Sequence, residues 1–305
     1  MIPFAATLVL VLSFMLAAAA DARGEQSAQV FLSVEEKGIL LVDLNQARKD
    51  PAAVVWSWQA AHSPQIPAED RSLFNGYDES KPVLDGSALL VCSSWNGAVA
   101  LVNRADKKCL FYAKCSGAHS AELIGKNLLA AALSNRAGEL RLYRLNDPAR
   151  PMLDAQPVWS MPFPWGHGVV HDPGRDRLFA LNNNELLVLR VTDGPEPAAE
   201  VLSRHKLPNP GGHDLLRYDQ RHLSVTVGRG AYLFDCDSQT FSPLPGLADQ
   251  SDLKSVNRHP VTGQVMFTQA TKGKVHANKL QWTDGTELPL PYEMLYKARW
   301  NVAER

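Results

Sequence analysis

Lys81, His119, His167, His213, Lys254 and Lys297 follow one another at gaps of 38, 48, 46, 41 and 43 residues. Each stands in a short segment of similar plan: ESKPVLDG at 79–86, GAHSAELIG at 117–125, GHGVVHDPG at 166–174, GHDLLRYD at 212–219, SDLKSVNRHP at 251–260 and MLYKARWNV at 294–302. Set side by side, these segments make a ring of three imidazoles and three ammonium groups. Three imidazoles at one depth could ligate a divalent cation such as zinc or manganese, with Glu79 or Asp252 adding an oxygen. The candidate metal ligands are therefore His119, His167 and His213. The lysines oppose that reading, because ammonium groups repel a cation. With Arg299 they suit an anion instead: a sugar carboxylate, a sulfate or a phosphate. A desolvated Lys or His also serves as a general base. β-Elimination from a uronic acid would use such parts, with Arg299 holding the carboxylate and a His or Lys taking the proton. Trp165, two residues before His167, could stack on a sugar ring.

The elements that must hold these residues are strands. Short β-branched and aromatic runs recur at Gln29–Val34, Gly38–Leu44, Val54–Trp58, Leu89–Ser93, Val99–Asn103 and Leu110–Ala113. Between runs stand turn signals such as Asp85-Gly86, Trp95-Asn96-Gly97, Asp172-Pro173-Gly174, Thr262-Gly263 and Asp284-Gly285. Helical periodicity is nearly absent. A repeat of about forty residues is the length of a four-stranded propeller blade. The sixth segment has no strands after it, whereas 28–59 holds three strands and lacks such an opener. Joining the two completes a blade from both termini and hides two open edges. The expected fold is all-β: a six-bladed β-propeller of four-stranded blades, closed by the C-terminal strand joining the N-terminal three. Residues 23–305 form one domain in this reading. The Pro-rich stretches Pro148–Pro157 and Pro195–Pro197 are loops.

The first strand of a blade lines the channel, and positions two apart on a strand share a face. Two residues before the ring stand Glu79, Gly117, Trp165, Gly211, Asp252 and Leu295. Two residues after it stand Val83, Ala121, Val169, Leu215, Val256 and Arg299. The expected arrangement is a polar layer over an apolar plug, open at one mouth, unless a bulge breaks the alternation. Lys81, His119, His167, His213, Lys254, Lys297, Arg299, Glu79, Asp252 and Trp165 form the candidate ligand site. Glu122 and Asp214 fall on the opposite face and serve blade contacts. The two histidines of HGVVH lie about 13 Å apart on a strand and cannot share an ion. His62, His205, His222, His259 and His276 read as surface residues, and Trp56, Trp58, Trp159 and Trp282 as packing.

Composition adds exclusions. Thirty-one Lys and Arg balance 32 Asp and Glu, for a formal charge of −1, which gives nucleic acid no electrostatic footprint. Residues 1–20 carry no charged side chain, and an apolar run to Leu16 ends in Ala17-Ala18-Ala19-Ala20. A cleavable signal over 1–22 fits, giving an exported protein, periplasmic or secreted, with no membrane span after cleavage; a buried N-terminal helix is the alternative. Cys109 and Cys115 lie about 20 Å apart on one strand, beyond disulfide reach, so the four cysteines read as buried thiols. No Gly-rich phosphate loop, G-x-S-x-G elbow or HExxH motif occurs.

The strings GAHSAEL, GHGVVHD, GGHDL, DLKSV and YKARW together resemble a group of exported bacterial six-bladed propeller proteins of unknown function, over about 75–305. The resemblance implies the propeller and export, and it brings no activity and no assigned residues. His-lined propeller pockets also look like those of oligogalacturonate lyases, and six-bladed rings like those of gluconolactonases, both at the level of fold. The expected function is binding of an anionic or carbohydrate small ligand by a monomer, with lyase-type or hydrolytic chemistry open. The rival is a non-catalytic module whose outer loops bind a protein or polysaccharide over a solvated channel.

Overall fold

The computed structural model describes residues 29–145 and 151–302, so the expected export signal lies outside the described residues. Six four-stranded antiparallel sheets form the ring. Moving outward, the first blade runs Leu295–Trp300, Gln29–Val34, Gly38–Asp43 and Trp56–Trp58, so the last strand of the chain is its innermost. The inner strands of blades two to six are Tyr77–Val83, Ala118–Ile124, Gly166–Asp172, Asp214–Arg217 and Leu253–Arg258. Each is followed by three more strands in chain order. The termini thus complete one blade together. The closing strand is also tied sideways to the sixth blade: Trp300 N–H donates to Asn257 Oδ1 at 2.7 Å, and Trp300 Nε1 donates to the Asn257 carbonyl at 3.1 Å.

The core lies between blades. Six apolar clusters occupy the six blade–blade interfaces. Leu32, Leu280 and Trp282 join blades one and six, for example, and Val170, Phe179, Leu215 and Phe234 join blades four and five. This is why the strands read as alternating or near-continuous apolar runs: both faces of each blade are covered. The expected turns hold. Gly86, Gly97, Gly263 and Gly285 all take positive φ, and Asp172 Oδ1 accepts from the N–H groups of Gly174 and Arg175. Such a side chain replaces a backbone acceptor and lets the strand reverse. Among the described residues, helix is confined to Leu44–Ala47 and two 3₁₀ turns, and none is long and apolar enough to cross a membrane. Cys92, Cys109, Cys115 and Cys236 are buried with free thiols.

One backbone feature sets the site. The register of inner strand against second strand shifts at Asp78, His119, His167 and Lys254, each the extra residue of a bulge. The closing strand shifts between Leu295 and Ala298. In blade five, His213 N–H donates to the Thr226 carbonyl while Asp214 already opposes Thr226. A bulge interrupts the alternation of faces, so two consecutive residues can turn the same way.

Candidate functional site at the channel mouth

Counted from the bulge, the equivalent residues are Asp78, His119, His167, His213, Lys254 and Tyr296. This corrects the sequence alignment. Lys81 and Lys297 do not share a level with the three histidines. Asp78 and Tyr296 stand there instead. The histidines do converge. The His119 and His167 rings lie 4.7 Å apart, and those of His167 and His213 lie 4.8 Å apart. Tyr296 closes the group, 5.6 Å from the His213 ring and 5.9 Å from the His119 ring.

The hydrogen bonds assign the ring protons. His167 Nδ1–H donates to the Trp165 carbonyl at 2.9 Å, because a carbonyl can only accept, so Nε2 takes the Ser134 hydroxyl at 3.1 Å. His213 Nε2 accepts from Lys254 Nζ at 3.2 Å and from the Tyr296 hydroxyl at 2.9 Å. His119 is different: its buried Nδ1 has no hydrogen-bond partner, and it lies 3.4 Å from Asp78 Oδ2, which has none either.

Burial pushes His119 and His213 well below the ordinary imidazole range, and neighbouring His167 adds to the shift. The same burial lowers His167 to about 4. All three are neutral at neutral pH. Burial also lowers Lys254. Asp78 moves up, because burial disfavours its charge and Glu35 and Glu79 add to that, against the Ser94 hydroxyl and Lys297.

Beneath this tier the expected apolar plug is absent. Ala121, Val169, Leu215 and Val256 pack between blades. The channel below the imidazoles is ionic. Arg299 spans it, with Nη2 2.7 Å from Glu79 Oε2 and 2.6 Å from Asp214 Oδ1. Lys297 Nζ lies 3.0 Å from Asp214 and 3.4 Å from Glu79. Lys81 Nζ donates to the Val169 carbonyl at 2.6 Å and meets Glu122 at 3.3 Å. Burial raises the Glu79 and Asp214 carboxyl groups, but Arg299 and then Lys297 outweigh it, whereas at Glu122 burial outweighs Lys81 and the carboxyl is raised. Glu79 is held below its ordinary range and Asp214 at about 2. Three cations thus face three carboxylates.

Access is lost at the centre of the ionic tier: His119 keeps 13% of its side chain accessible and Glu122, beside Lys81, 14%, whereas Lys297 and Glu79 keep none. Of the expected site residues, His119, His167, His213 and Lys254 therefore meet at the mouth. Lys81, Lys297, Arg299 and Glu79 are sealed below it. Arg299 has no free face with which to hold a ligand carboxylate. Asp252 is exposed on the rim. Trp165 stands there too, 46% exposed.

Among the described residues no group of three or more His, Cys, Asp or Glu is arranged to hold a metal ion. The imidazoles pack against one another, and His167 and His213 spend their Nε2 atoms on protein donors. The residues present do not fit the metal reading of His119, His167 and His213.

Two further histidines depart from the surface expectation. His259 is 1% exposed against Trp300, and His276 Nε2 lies 2.8 Å from Glu35 Oε1 beside Tyr296. Asp78, Tyr296, Glu35 and His276 were missed as site residues. Aligning the last opener on Ala298, the counterpart of Ala121, Val169, Leu215 and Val256, picks out Tyr296; the counterpart in blade two is Ser80, so no apolar residue marks Asp78.

A family model described as a family of unknown function (DUF6528) matches residues 4–189. No curated protein matches. Among solved structures, a protein of unknown function from Bacteroides caccae superposes with a TM-score of 0.58 at 11% identity, covering 90% of this chain and 98% of that one. A Bacteroides uniformis protein provisionally assigned as a 6-phosphogluconolactonase gives 0.56 at 13% identity, covering 87% and 82%. A functionally unknown protein from Desulfotomaculum acetoxidans gives 0.51 at 10%, covering 89% and 98%. At these identities the likeness is one of fold.

Proposed function

Since the chain belongs to the DUF6528 family, which has no established activity, we propose a function from the mouth itself: recognition of a small anionic carbohydrate, a sugar acid. The observation that carries the reading is the packed trio His119–His167–His213 with Lys254 donating to His213. The accessible His119 ring gives or accepts a hydrogen bond, as sugar hydroxyls require, while His167, bonded to Trp165 and Ser134, and His213, bonded to Lys254 and Tyr296, pack beside it. Lys254 supplies positive charge where the carboxylate would sit. Trp165, exposed at the rim and tied through its carbonyl to His167, offers a flat apolar face of the kind sugar rings stack on. The sealed cations below are matched by carboxylates, so they set no charge for the ligand. A neutral imidazole also accepts a proton, so elimination or hydrolysis stays within the chemistry of this set. We further propose that the protein works outside the cytoplasm, on the strength of the apolar run ending at Ala17–Ala20.

Calorimetric titration of the mature chain with D-galacturonate, D-gluconate and their neutral sugars tests the reading. The acids should bind and the neutral sugars should bind more weakly. His167→Ala and Lys254→Met should each weaken acid binding tenfold or more, about 1.4 kcal/mol, with Tm shifted by only a few degrees. Equal binding of acid and neutral sugars, or affinities unchanged in both variants, would sink it.

A further inference from the structure

Asp78 and His119 are the bulged residues of adjacent inner strands, and their buried Oδ2 and Nδ1 atoms face each other at 3.4 Å without other partners. Two bare acceptors at that separation would repel. A proton on either atom removes that repulsion, and one proton is enough. The surroundings say which atom holds it. Asp78 faces Glu35 and Glu79, which oppose a negative charge there, and Ser94 and Lys297, which favour one. His119 faces His167, Lys254 and Lys297, all of which oppose a positive charge, and the Tyr296 ring. Burial opposes both charges, so the uncharged pair is preferred: Asp78 holds the proton and His119 Nδ1 stays bare. His119 then carries its own hydrogen on Nε2. The accessible part of the ring lies away from the buried Nδ1, which leaves Nε2 to a ligand.

We propose that this pair is an internal anion switch: when an anionic group accepts a hydrogen bond from His119 Nε2–H, the shared proton passes from Asp78 Oδ2 to His119 Nδ1. One O–H bond breaks and one N–H bond forms. No proton enters or leaves the protein. The new imidazolium faces the anion, and the new carboxylate lies where Lys297 favours it. The neutral pair thus becomes an ion pair, its cationic end toward the ligand, only when an anion is present, so Asp78 and His119 carry no buried charge when the mouth is empty. The switch rests on the reading that the ligand is anionic.

The test uses the intact protein with ¹⁵N-labelled histidine, with His119 assigned through His119→Gln. Without ligand, His119 should show a bare Nδ1 and a protonated Nε2. Saturation with D-galacturonate or sulfate should move both nitrogens to imidazolium values. Calorimetry in buffers of different ionisation enthalpy should find no net proton uptake. Asp78→Asn keeps an N–H donor toward Nδ1 but has no transferable proton. Its affinity for the acid should fall tenfold or more at pH 7.5 and recover as pH is lowered, now with uptake of one proton. An imidazolium or a protonated Nδ1 in the free wild type overturns the switch, as does Asp78→Asn binding like wild type at every pH. Failure of wild type to bind any acid overturns the sugar-acid reading instead, and the switch with it.

Discussion

Protonating one imidazole of the packed trio puts a cation against two neutral rings and beside Lys254, with little water to spread the charge. The cost shows in stability. His167 is held at about 4 in the fold, against an ordinary value of 6.5. The unfolded chain therefore takes up the proton first as pH falls. Stability contributed by neutral His167 is complete above about 6.5 and drains away between 6.5 and 4, on the order of 3 kcal/mol in all. His119 and His213 move in the same direction. Asp214, held at about 2, keeps its contribution above its ordinary value of 3.8 and loses it only below that. Urea unfolding at pH 7.5 and 4.5 should thus show a marked loss for wild type and a smaller one for His167→Gln. A variant as acid-sensitive as wild type would mean that the imidazole is not the titrating group.

At the scale of the strand, the bulge decides which residues meet. It lets His213 and Asp214 serve two tiers from consecutive positions, and it does the same for Asp78 with Glu79 and for Tyr296 with Lys297. Strict alternation would send one of each pair outward, which is why Asp214 and Glu122 were expected to leave the channel and Lys81 to join the histidines. Strand positions, turns and blade boundaries were legible, because burial pattern and turn chemistry are local. The bulge was not, because a one-residue register shift leaves no composition of its own. Gly168 shows how tight the result is. A Cβ there would lie 2.4 Å from the Leu215 Cβ and 3.1 Å from its backbone nitrogen, so only glycine lets blades four and five approach this closely. Gly168→Ala should force the two inner strands apart, costing about 1–3 kcal/mol, and should weaken acid binding by separating His167 from His213. Thermal unfolding and titration on one sample would check both; unchanged values for both would show that the strands yield without strain.

Across the whole ring, the ionic tier acts as a cross-brace. Arg299, on the strand that closes the circle, reaches Glu79 of blade two and Asp214 of blade five. A group that touches two blades across the channel gains all its contacts only when the ring is shut. Removing it leaves two buried carboxylates facing mainly Lys297, and breaking such a buried network costs about 3–5 kcal/mol. Arg299→Met should therefore lower Tm sharply. Adding Glu79→Gln alone should restore part of the loss, because Asp214 and Lys297 then remain as one matched buried pair. A double variant less stable than Arg299→Met would show that Glu79 stabilises the ring by some other route.

The chain by itself determined the strands, the turns, the count of six blades and the closing of the ring by its own two ends. These follow from apolar periodicity and from an unpaired strand at each terminus, features that any neighbour must satisfy in the same way. It also named the histidines and Lys254 that gather at the mouth. Only the tertiary structure decided their level, their partners and their charge. A side chain's height in the channel depends on the register of a bulge. Its protonation depends on which groups other blades, distant in sequence, bring within a few ångströms. Asp78 against His119, and Arg299 between Glu79 and Asp214, are contacts between blades, and no spacing within a single segment encodes them.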